Sequence, residues 1–260
     1  DNYVMSLYEL PDGKMWVMTR GGPCIYNSHT EKFDADYNNY LRSLGLPSGA
    51  IVGIIKGNNG RYWFLYDDQG LYLYSGIDKT AKPFRQENTI HQSEKITSVR
   101  ETKNGKLWLA YQDGFLQEYD IQSNKVILSS AALSKQIKGN NSHNLFIDND
   151  GDIWIWHYTY GVFLFHPPDS SIRQFTNNSS PSKLSSAVVS QIAQDNNGLI
   201  WVATDHGGVT LIDKRKNFQT SYLLNDQKDP KSLSQNSITS LLKDDNGIIW
   251  LGTYKQGLII

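Results

Sequence analysis

Tyr66, Tyr111 and His157 hold one position in three consecutive segments of this 260-residue chain, each lying three residues after a tryptophan. Three other segments carry threonine there: Thr19, Thr204 and Thr253. Trp156, Tyr158 and Tyr160 flank His157, so these six aromatic and imidazole side chains are candidates for a single aromatic arc. Flat aromatic faces stack on the apolar C–H surfaces of sugars, and tyrosine and histidine tips add directional hydrogen bonds. Arg20 and Lys255 lie in the equivalent turns of the first and last segments and suit anionic groups such as uronate or sulfate. The same residues also suit a protein interface, or the loosened packing of a degenerate repeat.

Covalent and metal chemistry are not expected. His29, His91, His143, His157, His166 and His206 form no HExxH pair, and no Gly-x-Ser-x-Gly elbow is present. Cys24 is the single cysteine, which excludes an internal disulfide. Asp148, Asp150 and Asp152 open like a calcium loop, but the twelfth position is Thr159, so the stretch reads as a hairpin turn. We therefore expect no catalytic residues, no metal and no cofactor. His143 and His206 are the acid–base pair of the competing, enzymatic reading.

A net charge of −1, with Lys and Arg scattered, excludes a nucleic-acid footprint. No 18-residue apolar run exists, so a membrane is reached only through a helix outside this sequence. Asn-x-Ser sequons at Asn140, Asn177 and Asn178 fall in polar loops and read as chance.

These candidates hang on a repeat. Six tryptophans (Trp16, Trp63, Trp108, Trp154, Trp201 and Trp250) recur at intervals of 45 to 49 residues, each three residues after a glycine. Such a period marks a solenoid, propeller or array. Asp or Asn precedes every one of these glycines, between two apolar runs, which predicts a hairpin with positive φ at the turn. An apolar residue ten or eleven positions after Trp (Tyr26, Tyr74, Tyr119, Phe165 and Ile212) marks a third strand. Lys125–Ser129, Ser171–Phe175 and residues 217–223 supply a fourth. The fold class is all-β, a β-propeller of four-stranded antiparallel blades. The units run roughly 1–45, 46–92, 93–137, 138–184, 185–233 and 234–260, the last incomplete. A middle strand between stacked sheets is buried on both faces, so the tryptophans are read as packing.

No leader opens the sequence, and the sixth unit's outer aromatic would fall just beyond its last residue. The expectation is a segment of a seven-bladed or longer propeller region. It would contact other blades or domains of the same polypeptide, or form a homodimer through open edges.

SLSQNSITSLLKDDNGIIWLGTYKQGL and SKLSSAVVSQIAQDNNGLIWVATDHGGVTLID resemble the repeat of the two-component regulator propeller family. Units one to four keep the Gly-x-x-Trp core and drift elsewhere. The resemblance implies the periplasmic sensor region of Bacteroidetes hybrid two-component systems, with a histidine kinase across the inner membrane. It also implies an oligosaccharide ligand derived from a glycan, and regulation of polysaccharide-utilisation genes. Streptogramin lyases have a similar repeat core and set the enzymatic alternative, although their Thr-Glu after the Trp strand is here Thr19-Arg20, Thr204-Asp205 and Thr253-Tyr254.

Overall fold

The computed structural model describes residues 3–84, 95–138 and 142–260; His91 and the sequon at Asn140 lie outside them. Among the described residues are five four-stranded antiparallel sheets and one three-stranded sheet, all strands joined in sequence order. Repeat 1 comprises Val4–Glu9, Met15–Thr19, Gly22–Asn27 and Lys32–Asp34; repeat 2 comprises Ile51–Lys56, Tyr62–Tyr66, Leu71–Ser75 and Thr80–Pro83. Repeat 3 comprises Ile96–Glu101, Lys106–Tyr111, Leu116–Asp120 and Lys125–Ser130. Repeat 4 comprises Asn144–Ile147, Ile153–His157, Gly161–His166 and Ser171–Phe175; repeat 5 comprises Val189–Gln194, Ile200–Thr204, Val209–Asp213 and Gln219–Leu223. Repeat 6 comprises Ile238–Lys243, Ile249–Thr253 and Leu258–Ile259. The fold is an all-β propeller. Residues 1–112 and 116–129 form one compact unit, and residues 113–115 and 130–260 a second.

An α-helix, Tyr37–Ser43, interrupts the pattern after repeat 1. At seven residues it is too short for an apolar period to show, but Asp36 caps it by accepting from the Asn39 N–H. It buries Leu41 and sets the Tyr37 ring edge-on to Trp16, with centroids 5.5 Å apart.

Trp16, Trp63, Trp108 and Trp154 are fully buried. Trp16 and Trp154 pack between consecutive sheets of their own unit. Trp16 shares a cluster with Ile54 and Phe64 of the next repeat, and Trp154 with Val189 and Val202. An indole buries on the order of 150–250 Å² in this way, which accounts for its recurrence.

The hairpin before each Trp has a recurring internal acceptor. In repeats 4, 5 and 6 an aspartate lies six residues before the Trp. Asp195 Oδ1 accepts the Asn197 and Leu199 N–H groups, and its Oδ2 accepts the Trp201 indole N–H at 3.1 Å. Asp148 and Asp244 do the same for Trp154 and Trp250, at 2.8 and 2.9 Å. The bond from Trp250 holds the Asp244 carboxyl below its ordinary range. Gly198 and its equivalents have positive φ, but the preceding Asn197 does not. The Gly198 N–H bonds the Asp195 carbonyl and the Asp195 N–H the Leu199 carbonyl, a three-residue hairpin ending in a left-handed glycine. Among the Asx-Gly pairs before the six tryptophans, the two consecutive positive φ angles predicted occur only at Asn59–Gly60 of repeat 2.

Repeats 1 to 3 lack the aspartate and solve the indole differently. Trp108 donates to Glu118, its cross-strand neighbour. Trp63 donates to Glu101 of the following repeat at 2.8 Å. Position −6 is there Gly57, whose Cβ would stand 2.2 Å from Glu101 Oε2, so the incoming carboxylate occupies the space an aspartate would fill. In repeat 1 the position is Leu10, and the Trp16 indole nitrogen is buried without an acceptor among the described residues.

A second regularity lies where strand one begins. In repeats 1, 2, 3, 5 and 6 its pairing with strand two skips one residue (Met5, Val52, Thr97, Ser190 and Thr239), a β-bulge; in repeat 4 the ladder ends at Asn144 and Trp156, before that position is reached.

Candidate functional site

The turn between strands two and three meets the loop entering strand one. The N–H four residues after Trp bonds the carbonyl preceding that strand: Arg20 to Tyr3, Asp67 to Ala50, Gln112 to Lys95, Asp205 to Val188 and Tyr254 to Ser237. Residues of this turn therefore belong to the face where strand one starts, as the repeat pattern required.

Threonine three residues after Trp has a structural role in this turn. The Thr204 hydroxyl donates to the Gly208 carbonyl at 3.0 Å, Thr253 to Gly257 at 2.8 Å and Thr19 to Gly22 at 2.8 Å. Its replacements diverge. Tyr66 is buried and donates to the Pro47 carbonyl at 2.8 Å; burial pushes its hydroxyl pKa up. Tyr111 is buried and donates to Gln117 Oε1 at 2.6 Å, an oxygen that also accepts from Tyr119 at 3.2 Å. Trp156 is buried too, its indole N–H on the Ser190 carbonyl. These three rings are core, and they present no stacking face. The cause is the one already read for the tryptophans: both faces of a middle strand are covered.

The fourth repeat keeps an accessible cluster. Tyr158 is 60% exposed, and His157 and Tyr160 are half-buried. The His157 ring lies 5.3 Å from Tyr160 and 6.0 Å from His143, centroid to centroid. Tyr160 is braced by Gln174, whose amide donates to the Tyr160 carbonyl at 2.9 Å. Tyr66 and Tyr111 belong to the first compact unit and this cluster to the second. Arg20 is exposed with its guanidinium 5.6 Å from the Tyr3 ring, and Lys255 is exposed with its ammonium 5.1 Å from the Tyr254 ring. Tyr254 was not singled out from the sequence, yet it occupies the position of Tyr158, four residues after Trp, and is 67% exposed.

The two histidines of the enzymatic alternative have different settings. His206 is exposed and pairs with Asp205 at 2.9 Å. His143 is buried, and burial first, then His157, lowers its pKa to about 4 against the opposing charge of Asp113. Burial lowers His157 as well. Both rings are neutral in the fold, whereas the unfolded chain takes up protons as pH falls past 6.5. The contribution of His143 to stability is complete above pH 6.5 and is lost between 6.5 and about 4, and that of His157 is lost in the same direction. Thermal melts of His143→Gln are expected to fall less steeply than the parent over that window; an identical slope would place the titration elsewhere. His166 acts in the opposite sense, because its bond to Asp152 raises it.

Asp148, Asp150 and Asp152 converge as their spacing suggested, but on a lysine. The Lys214 ammonium of repeat 5 lies 2.6, 2.7 and 2.6 Å from their carboxylates. The Asp148 side chain is fully buried and that of Lys214 is 13% exposed.

Residues 183–206 and 232–255 match the two-component regulator propeller model, covering the Trp hairpins of repeats 5 and 6. No curated protein matches the chain in sequence. Among solved structures, the extracellular domain of the proposed one-component system BT4673 from B. thetaiotaomicron is similar, with a TM-score of 0.68 at 20% identity. That match covers 98% of this chain and 32% of the other. The extracellular domain of the proposed hybrid two-component system BT3049 from the same organism gives 0.66 at 21%, covering 99% and 33%. Virginiamycin B lyase from Staphylococcus aureus gives 0.59 at 11%, covering 96% and 77%. At these identities the likenesses show the fold, and the chain spans about a third of the length of the two Bacteroides domains. Of the six repeats, it is the fifth and sixth that match the two-component regulator propeller model.

Proposed function

We propose that this propeller is part of the extracytoplasmic sensor region of a hybrid two-component system, in the periplasm, and that its ligand is an oligosaccharide released from a glycan. The match of repeats 5 and 6 to the regulator propeller carries this reading, and the likeness to extracellular domains of proposed signalling systems supports it. The ligand surface is the fourth-repeat turn, where Tyr158 offers an exposed ring beside the imidazole of His157. A sugar face stacks on the first and takes hydrogen bonds from the second. Binding would shift the balance of signalling arrangements to the extent that the contacts are better in one of them.

Calorimetric titration against a panel of neutral and acidic oligosaccharides tests this. One member should bind saturably, and Tyr158→Ala should weaken it about tenfold, or ~1.4 kcal/mol. Equal affinity in Tyr158→Ala and His157→Ala would remove the turn from the site, and no binding by any member would remove the saccharide.

A further inference from the structure

The first hairpins of repeats 2 and 3 differ from the other four in charge. Repeats 1, 4, 5 and 6 each carry at least one aspartate between positions −6 and −2 from the Trp. Gly57–Arg61 reads GNNGR and Thr102–Lys106 reads TKNGK, with no carboxylate in either. Both hairpins belong to the first compact unit, and they enclose a polar cleft of about 470 Å³ lined by Asn58, Asn59, Arg61, Lys103, Asn104 and Gly105.

The cations at this cleft are not equivalent. Arg61 is fixed from beneath: its Nε and Nη2 bond Glu101, whose side chain is 1% exposed, and Nη1 remains uncommitted. Glu101 is itself fixed by the Trp63 indole and the Asn58 N–H. Lys106 is neutralised by Asp120. Lys103 is exposed and makes no ion pair with any described residue, so the cleft keeps one uncompensated positive charge. At Asn59–Gly60 both φ angles are positive, 55° and 71°, and the Arg61 N–H bonds the Asn58 carbonyl. Among the described residues neither the Asn59 nor the Gly60 N–H meets an acceptor. Asn104 gives its side-chain oxygen to the Thr102 hydroxyl, which leaves its amide NH₂ as a donor.

We propose that this cleft binds a tetrahedral oxyanion, the sulfate or phosphate group of a larger molecule. Donors arrive from two separate turns, which serves oxygens on several sides of a tetrahedral group better than the two coplanar oxygens of a carboxylate. The volume is many times the ~30 Å³ share of one water, so it admits the atoms that carry the anion as well as the anion. The site is separate from the fourth-repeat turn and stands or falls independently of it.

Backbone amide signals followed by NMR at constant ionic strength test the assignment, with glucose 6-sulfate, glucose 6-phosphate, inorganic sulfate and glucose as probes. The two esters should shift the signals of Asn59, Gly60, Lys103 and Asn104 saturably, and glucose should not. Lys103→Glu should weaken ester binding at least tenfold, whereas Lys82→Glu, which places the same charge change on an exposed residue outside the cleft, should leave it within twofold. Inorganic sulfate binding more weakly than glucose 6-sulfate identifies an anionic substituent as the ligand, and equal binding identifies the bare ion. Shifts that never saturate, or equal losses in Lys103→Glu and Lys82→Glu, would overturn the proposal.

Discussion

Glu101→Ala is expected to destabilise the first unit by about 3 kcal/mol in denaturant unfolding, the low end for breaking a buried ion pair because Arg61 retains some solvent contact. The variant strips the acceptor from the Trp63 indole, the Asn58 N–H and the Arg61 guanidinium at once. Its diagnostic partner is Gly57→Asp. In the parent this change should also destabilise, since a Cβ at position 57 meets Glu101 Oε2 at 2.2 Å. In the Glu101→Ala background the same aspartate should restore a good part of the loss, because it supplies from within repeat 2 the carboxylate that Asp148, Asp195 and Asp244 supply within theirs. A change of sign between backgrounds is strong coupling of neighbouring sites. If Gly57→Asp destabilises both backgrounds alike, Glu101 does not stand in for the missing aspartate.

Lys214→Met should cost about 3 kcal/mol or more at pH 7. Burial pushes the Lys214 ammonium down, but the three carboxylates outweigh it and hold it above its ordinary value. Its stabilisation therefore spans the whole neutral range and is lost only as pH rises past the ordinary lysine value. Without the ammonium, the buried Asp148 carboxylate loses its cation, and among the described residues Asp152 keeps only His166 as a partner of opposite charge. A difference under 1 kcal/mol at pH 7 would show that the cluster contributes little.

The repeat, the strand order and the packing role of the tryptophans were all legible, because each rests on a period or a local pattern that six copies restate. The acceptor of each indole was partly legible. Asp148, Asp195 and Asp244 stand at a fixed offset, but Glu101 lies 38 residues from the tryptophan it serves and reads as a charged strand end. Lys214 is equally hidden, since 62 to 66 residues separate it from its carboxylates. The aromatic arc failed for a different reason. Tyr66 and Tyr111 break the threonine pattern, and the break was read as function although a middle strand has no free face. The accessible part is the one that leaves the strand: His157 at its end, with Tyr158 and Tyr160 in the turn.

The skipped residue at the start of strand one has a further consequence. In repeats 3 and 6 it is a threonine whose hydroxyl reaches across to the Ala110 or Gly252 carbonyl, and in repeat 5 it is Ser190, which takes the Trp156 indole from one neighbour and donates to the Ile238 carbonyl of the other. In repeat 4 the ladder ends at Asn144 and Trp156, one residue short of that position, which there is His143, eleven residues before the tryptophan as in the other five. The position keeps its distance from the tryptophan while its side chain changes from Met5 and Val52 to Thr97, His143, Ser190 and Thr239. A substitution at a residue outside the ladder alters the rim of a blade without shifting the phase in which its strands pair, and the tryptophan seam below keeps its measure.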